Sequence, residues 1–250
     1  MKYLGIVIVS LTICLFIIYQ LYANRNILIV IIGYNNLFFM RNFINQLKRF
    51  NIRIIILDNK STYEPLLNYY KEIKRELGSK IEIRLLQENH GSGVYIKLKH
   101  SLPSVYILSD CDLELNPKMP RNFSEILYSL SKTHQAYKVG LALDISEKDK
   151  LIDCKDYTNG KSLIEWETPY WKTPIYDETY ELYKAPIDTT FSLINYNFPD
   201  KLHIRVAGEF TAKHLPWYKK FLKNNIPKEE LVYWKDGNNS SSILLTCLDM

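Results

Sequence analysis

Two carboxylates, Asp110 and Asp112, end the apolar run Val105-Tyr106-Ile107-Leu108. In an extended chain alternate side chains share a face, so this i, i+2 spacing aims both acids to one side. Like charges held that close repel, and the arrangement is sustained where a cation or a donor-rich ligand sits between them. A three-residue pattern is a weak signal by itself, and its weight comes from where it stands. Other polar residues able to bind a ligand also stand where apolar runs stop. They are Tyr34 in Gly33-Tyr34-Asn35-Asn36, Asp58 in Asp58-Asn59-Lys60-Ser61, and Asn89 in Glu88-Asn89-His90-Gly91. Two more carboxylates belong on the candidate list, Glu167 in Glu165-Trp166-Glu167 and Asp188 in Ala185-Pro186-Ile187-Asp188. The residue before a proline is pushed out of the helical region, so Asp188 ends an extended approach. Its neighbours Thr189, Thr190 and Phe191 predict an apolar setting suited to a group that takes a proton. The alternative is that Asp188 braces the two threonines by local hydrogen bonds.

The elements that must position these groups can be read from periodicity. Ile27 to Ile32 is a continuous apolar run, the pattern of a strand buried on both faces. A helix follows from Leu37 to Phe50, then a strand Ile52 to Leu57 and a helix Glu64 to Leu77 stopped by Gly78. Strands Ile81 to Leu86 and Val105 to Leu108, a helix Arg121 to Lys132 and a strand Lys138 to Asp144 continue the alternation. Strands alternating with helices predict an α/β fold, a Rossmann-like and mostly parallel sheet flanked by helices with right-handed crossovers. In such sheets ligands bind beyond the carboxyl ends of the strands, which is where the polar residues above fall. An acid closing the second strand, Asp58, points to a nucleotide, as in folds where that position grips a ribose hydroxyl. The glycine fingerprint of dinucleotide folds is missing, since His90-Gly91-Ser92-Gly93 follows the third strand and lacks a third glycine.

Composition narrows the classes further. The 250 residues are 47% hydrophobic and 24% charged, a globular balance sized for one substantial domain. The net charge of +5 suits an anionic small ligand or a membrane surface. No basic stripe with interleaved aromatics appears, so nucleic acid is not an expected partner. The four cysteines do not form a disulfide framework, and Cys154 with Cys247 is the one plausible pair against a reading as free thiols. No Cys-x-x-Cys or His-Glu-x-x-His occurs, which argues against zinc. Glu147 to Lys161 is charged and reads as a surface excursion. All four tryptophans lie in the last third, where aromatic faces can fill a core or bind sugar rings.

The run from Tyr3 to Ala23 carries no charge and would be about 31 Å long as a helix. Its length and the poor small-x-small pattern at Leu21-Tyr22-Ala23 predict an uncleaved single-pass anchor rather than a cleaved signal. The expected division is an anchor over residues 1–25 and a catalytic domain over 26–250. Lys2 and the amino terminus on one side balance Arg25 and Arg41 on the other, so charge sets no orientation.

Taken in order, six segments resemble the glycosyltransferases of the GT-A fold, family 2-like, in a bacterial and viral subgroup. They are Asp58 to Tyr63, Ser109 to Asp112, Val139 to Ile145, Glu165 to Glu167, Ala185 to Phe191 and Thr211 to Tyr218. The resemblance implies transfer of a sugar from a nucleoside-diphosphate donor, a UDP-sugar foremost, to a glycan or a lipid- or protein-linked acceptor. It implies that Asp58 contacts base or ribose, that Asp110 holds ribose or metal-bound water, and that Asp112 ligates a divalent metal. His214 matches the C-terminal histidine that in many such enzymes is the other protein ligand, and a nitrogen ligand favours Mn2+ over Mg2+. Tyr34 and Asn89 join the expected nucleotide-sugar contacts. Inversion would need a carboxylate on the acceptor side; Asp188 and Glu167 lead, with Glu165 and Asp144 behind them. The Glu-Asp base motif usual in family 2 is absent, which leaves that assignment open.

Rival chemistries fit less well. A haloacid-type phosphatase carries its acid pair on the first strand, a calcium loop would need glycine where Leu115 stands, and a nucleotidyltransferase would need a glycine-rich basic loop after the first strand. The remaining alternative is a membrane-tethered carbohydrate-binding protein with an inactive GT-A site.

Overall fold

The computed structural model describes residues 27–152, 160–219 and 226–235. The expected anchor, Cys14, Cys154 and Cys247 lie outside them. No helix among the described residues is long and apolar enough to cross a membrane.

The first half follows the predicted alternation. Strand β1 (Ile29–Gly33) leads to α1 (Leu37–Leu47), β2 (Ile54–Asp58), α2 (Glu64–Leu77), β3 (Ile81–Leu85), the short α3 (Val94–Lys97) and β4 (Val105–Asp110). These four strands are parallel and lie in the order β3-β2-β1-β4. The unbroken apolar runs of β1, β2 and β4 are explained by two cores. Ile29, Ile31, Ile54, Ile56 and Ile107 face one core with α1 and α2, whereas Val30, Ile55, Leu57, Tyr106 and Leu108 face the other. Period-two alternation with both faces covered keeps the interiors of β1 and β2 apolar, whereas the edge strand β3 carries Glu82 and Arg84. Gly78 closes α2 with φ +56°, and its N–H caps Lys74 O.

The second half departs from the expected parallel sheet. It contains β5 (Leu113–Leu115), α4 (Phe123–His134), β6 (Lys138–Leu143) and α5 (Leu163–Glu167). Then come β7 (Pro174–Ile175), β8 (Leu182–Lys184), β9 (Ser192–Asn195), β10 (His203–His214) and α6 (Lys228–Lys235). β9 inserts between β4 and β6 and runs antiparallel to both. β10 is parallel to β6 but antiparallel to β5 and β8. The ten-stranded sheet is therefore mixed, in the order β3-β2-β1-β4-β9-β6-β10-β8-β7 with β5 beside β10. The helix-strand alternation that signals parallel crossovers ends with β6, and the later strands are joined by loops that carry no such constraint.

Close approach seats β9 against β6. A Cβ on Gly140 would lie 2.5 Å from Phe191 O and 2.6 Å from Ser192 Cβ, so only glycine lets the two backbones meet here. β10 is long because an irregularity between Val206 and Thr211 splits it. Its first part pairs β8 and its last part pairs β5, the local bend expected of a bulge.

Candidate active site

The carboxyl ends of β1, β2 and β4 open on a cleft of about 570 Å³. Asp110 ends β4 half-buried on its wall. Thr189 Oγ1 donates to Asp110 Oδ2 at 2.7 Å, while Asp110 N donates to Thr189 O at 3.1 Å. Burial pushes the Asp110 carboxyl up to about 7, and the Asp112 and Asp188 charges add to that.

Asp112 lies just beyond β4 and is brought to His214 by register. β5 and β10 pair antiparallel with Leu113 opposite His214, and Leu215 N donates to Asp112 O at 2.9 Å. His214 Nε2 consequently sits 3.4 Å from Asp112 Oδ2. Burial disfavours the imidazolium, but the carboxylates of Asp112, Asp110 and Asp188 outweigh it and raise the His214 pKa. Trp217 packs edge-on against the same imidazole, with ring centroids 4.9 Å apart. Asp112 Oδ1, His214 Nδ1 and Trp217 Nε1 are buried and have no hydrogen-bond partner. Three orphaned polar atoms on residues of one wall are unusual, because buried polar atoms are nearly always satisfied. One carboxylate oxygen and one imidazole nitrogen form a donor set suited to a first-row divalent ion. Among the described residues no group of three or more His, Cys, Asp or Glu gathers as a complete metal site, so further ligands would have to come with a bound molecule.

The expected nucleotide contacts divide. Tyr34 and Asn89 line the cleft. Asp58 does not: it is 1% exposed, and its carboxylate accepts Ser61 N at 2.7 Å, Ser61 Oγ at 2.6 Å and Tyr70 Oη at 2.9 Å. Burial raises its pKa while those hydrogen bonds pull it back. The neighbouring Asn59 reaches the cleft instead, with Nδ2 donating to Gly91 O and Oδ1 accepting from His90 N. Asp58 thus braces the loop whose next residue forms the wall.

The two leading acceptor-side carboxylates also differ from expectation. Asp188 is exposed on the cleft wall rather than enclosed by apolar side chains, because its segment turns out of the sheet before β9. It accepts Thr190 N at 2.9 Å, so the local brace and the cleft position coexist. Glu167 ends α5 at 1% exposure and is ion-paired with Arg205 Nη1. Burial raises its carboxyl to about 7 against the pull of that guanidinium. Of the lesser candidates, Glu165 forms a capping box with Ser162 at the start of α5, and Asp144 accepts Ser146 N at 2.8 Å. Neither lines the cleft.

The structure adds residues that sequence reading overlooked. Arg205 lines the cleft, lies over the Tyr170 ring at 4.4 Å and is 5% exposed. A lone charge inside the apolar strand pattern His203-Ile204-Arg205-Val206 was the available signal, since such a charge must find a partner. Trp166, Trp217 and Trp234 contribute aromatic walls, and Trp166 is the exposed one at 36%. Trp234 is carried by α6 and held by Nε1 donating to Asn35 O at 2.7 Å. Asn35, with φ +49°, also binds Ser61, Thr62, Tyr63 and Tyr233. It ties the loops after β1 and β2 to α6, a left-handed position that asparagine tolerates.

Neither a family profile nor a curated protein matches the sequence. Solved structures do. One is the mannosyltransferase PcManGT from Pyrobaculum calidifontis in complex with GDP-Man and Mn2+, at 11% identity and a TM-score of 0.41, covering 68% of this chain and 44% of that one. Another is GalNAc-T7 with UDP, GalNAc and Mn2+, at 15% identity and a TM-score of 0.45, covering 68% of this chain and 35% of that one. The chain spans less than half the length of either structure it resembles.

Proposed function

We propose that this chain is a metal-dependent glycosyltransferase that moves a sugar from a nucleoside diphosphate, a UDP-sugar foremost, to a hydroxyl of a glycan or glycoconjugate with inversion. The observation that carries the proposal is the group of unpartnered buried atoms Asp112 Oδ1, His214 Nδ1 and Trp217 Nε1 at the ends of β4 and β10. They call for a ligand that brings both a cation and hydrogen-bond acceptors, and a metal-bound diphosphate brings both. Asp112 and His214 would hold the ion, with Mn2+ favoured by the imidazole. Bound there, a divalent cation would neutralise the charge that grows on a departing diphosphate.

The chain's own residues do the rest. Tyr34, Asn59 and Asn89 line the cleft where the nucleoside enters, and Asp58 orders the Asn59 loop from behind. Asp110, steadied by Thr189, accepts hydroxyls of ribose or donor sugar. Asp188 takes the proton of the attacking hydroxyl, a role that its solvent-reachable carboxylate can fill and that the Arg205-bound Glu167 is poorly placed to share. Trp166 and Tyr170 supply faces for acceptor rings. The uncharged run over residues 3–23 would tether this domain to a membrane.

A thermal-shift screen of residues 26–250 with UDP and GDP, with and without Mn2+, tests the reading. A ligand at about a hundred times its dissociation constant stabilises by ~2.7 kcal/mol. Stabilisation that needs both nucleotide and Mn2+ is the expected result; nucleotide binding indifferent to metal would remove the metal assignment.

A further inference from the structure

Four successive carbonyls lead into and past Asp188, and each is taken. Arg205 Nε and Nη2 donate to Pro186 O at 3.0 and 2.9 Å. Lys138 Nζ donates to Ile187 O at 3.0 Å and to Asp188 O at 2.7 Å. Thr189 O accepts Asp110 N. On the amide side, Ile187 N donates to His203 Nδ1 at 3.2 Å. Lys138 opens β6 at 4% exposure and has no ion pair among the described residues; its ammonium also lies 5.6 Å from the Tyr95 ring centroid. Burying an ammonium whose hydrogen bonds end on neutral carbonyls is unfavourable, and burial accordingly lowers the Lys138 pKa, with Asp188, Asp200 and Asp110 opposing. A methionine of similar length would fill the space without that cost. A stability role alone therefore accounts poorly for a lysine here.

We propose that Lys138 is a positioning residue that fixes the direction in which the Asp188 carboxylate enters the cleft, by holding the carbonyls on both sides of the Asp188 α-carbon. The inference rests on the assignment of Asp188 to the acceptor side. It makes Lys138 matter for the transfer step and not for the donor, because both hydrogen bonds of its ammonium end on the 187–188 backbone. A misplacement of about 1 Å at a reacting group can cost roughly 100-fold in rate.

The test is a double-mutant cycle with Lys138→Met, Asp188→Asn and the pair. Turnover is read as UDP release from the UDP-hexose that the wild-type protein consumes fastest, and binding as the Kd for UDP in Mn2+ by calorimetry. Lys138→Met is expected to lower kcat about 10- to 100-fold while the UDP Kd stays within about twofold. In the Asp188→Asn background it should lower the residual rate by less than about twofold, since coupled residues are non-additive. An equal loss in both backgrounds, or a Kd that rises in step with the loss of kcat, would overturn the positioning role and leave Asp188 standing. Full turnover in Asp188→Asn would instead remove the Asp188 assignment, and the proposal with it. Should Lys138→Met fail to fold, Lys138→Leu removes the same donors, and unchanged kcat in that variant also overturns the proposal.

Discussion

Glu230 on α6 accepts the backbone N–H of Phe38, at the start of α1, with both carboxylate oxygens at 2.9 and 3.2 Å. The helix does not cap itself: the Asn36 side chain accepts Tyr34 N and donates to Cys111 Sγ. Its N-terminal cap comes from the far end of the chain, and the same α6 delivers Trp234 to the cleft. A carboxylate at a helix N-terminus is favourably placed, but this one is 0% exposed.

A pH dependence follows from that burial. Burial pushes the Glu230 carboxyl up to about 7, against the Phe38 N–H and Arg41, which favour the anion. The folded chain then binds this proton more tightly than the unfolded chain, whose glutamates titrate near 4.5. The contribution to stability is complete below the unfolded value and is lost as pH rises through about 7. Melting temperature should fall between about pH 5 and 7.5. Glu230→Gln keeps the acceptor and removes the titration, so its melting curves should depend less on pH. An undiminished slope in that variant would mean that Glu230 is ionised in the folded chain throughout.

Removing a proposed metal ligand should separate Asp112 from its neighbours. Asp112→Asn is expected to abolish Mn2+-dependent UDP binding, a larger loss than the ~10- to 100-fold that follows removal of an outer partner. His214→Ala should weaken the same binding less, on the order of 10-fold. Calorimetry with and without Mn2+ reads both, and normal Mn2+-dependent binding by Asp112→Asn would refute the ligand assignment.

The two carboxylates on the acceptor side should fail differently. Glu167→Gln breaks a buried ion pair, which costs about 3–5 kcal/mol and lowers Tm by on the order of 10 °C in a domain this size. Asp188→Asn changes an exposed side chain and should stay within about 0.5 kcal/mol of wild type while transfer collapses with UDP binding intact. If Glu167→Gln melts like wild type and alone loses transfer, the proton-accepting role passes to Glu167.

Packing between β6 and β9 gives a stability test remote from the chemistry. Gly140→Ala places a methyl 2.5 Å from the backbone oxygen of Phe191, which no rotamer can relieve, and should destabilise by about 1–3 kcal/mol or more. Gly93→Ala meets nothing within 4 Å and should be nearly neutral. Urea denaturation of both variants checks the pair.

The parallel half of the fold was legible in the sequence because β1, β2 and β4 are buried on two faces, the edge strand β3 alternates, and each long helix is buried on one face, so periodicity records them. Asp110, Asp112, Tyr34 and Asn89 could be placed at one sheet edge for the same reason: a strand end is a local fact. The pairing of Asp112 with His214 was reached only by resemblance, since antiparallel register between β5 and β10 joins segments far apart in the chain. Nothing local shows that β9 enters between β4 and β6, because a short apolar strand pairs equally well in either direction until its neighbours are set. Nor does the residue type tell that Asp58 turns inward while Asn59 faces the cleft, or that Asp188 is exposed and Glu167 enclosed. Those outcomes depend on which donors stand nearby: Ser61 and Tyr70 for Asp58, Arg205 for Glu167, and the Thr190 N–H for Asp188. Partners carried by other elements, Tyr70 of α2 for Asp58 and Arg205 of β10 for Glu167, help direct these side chains, and only the folded chain brings them together.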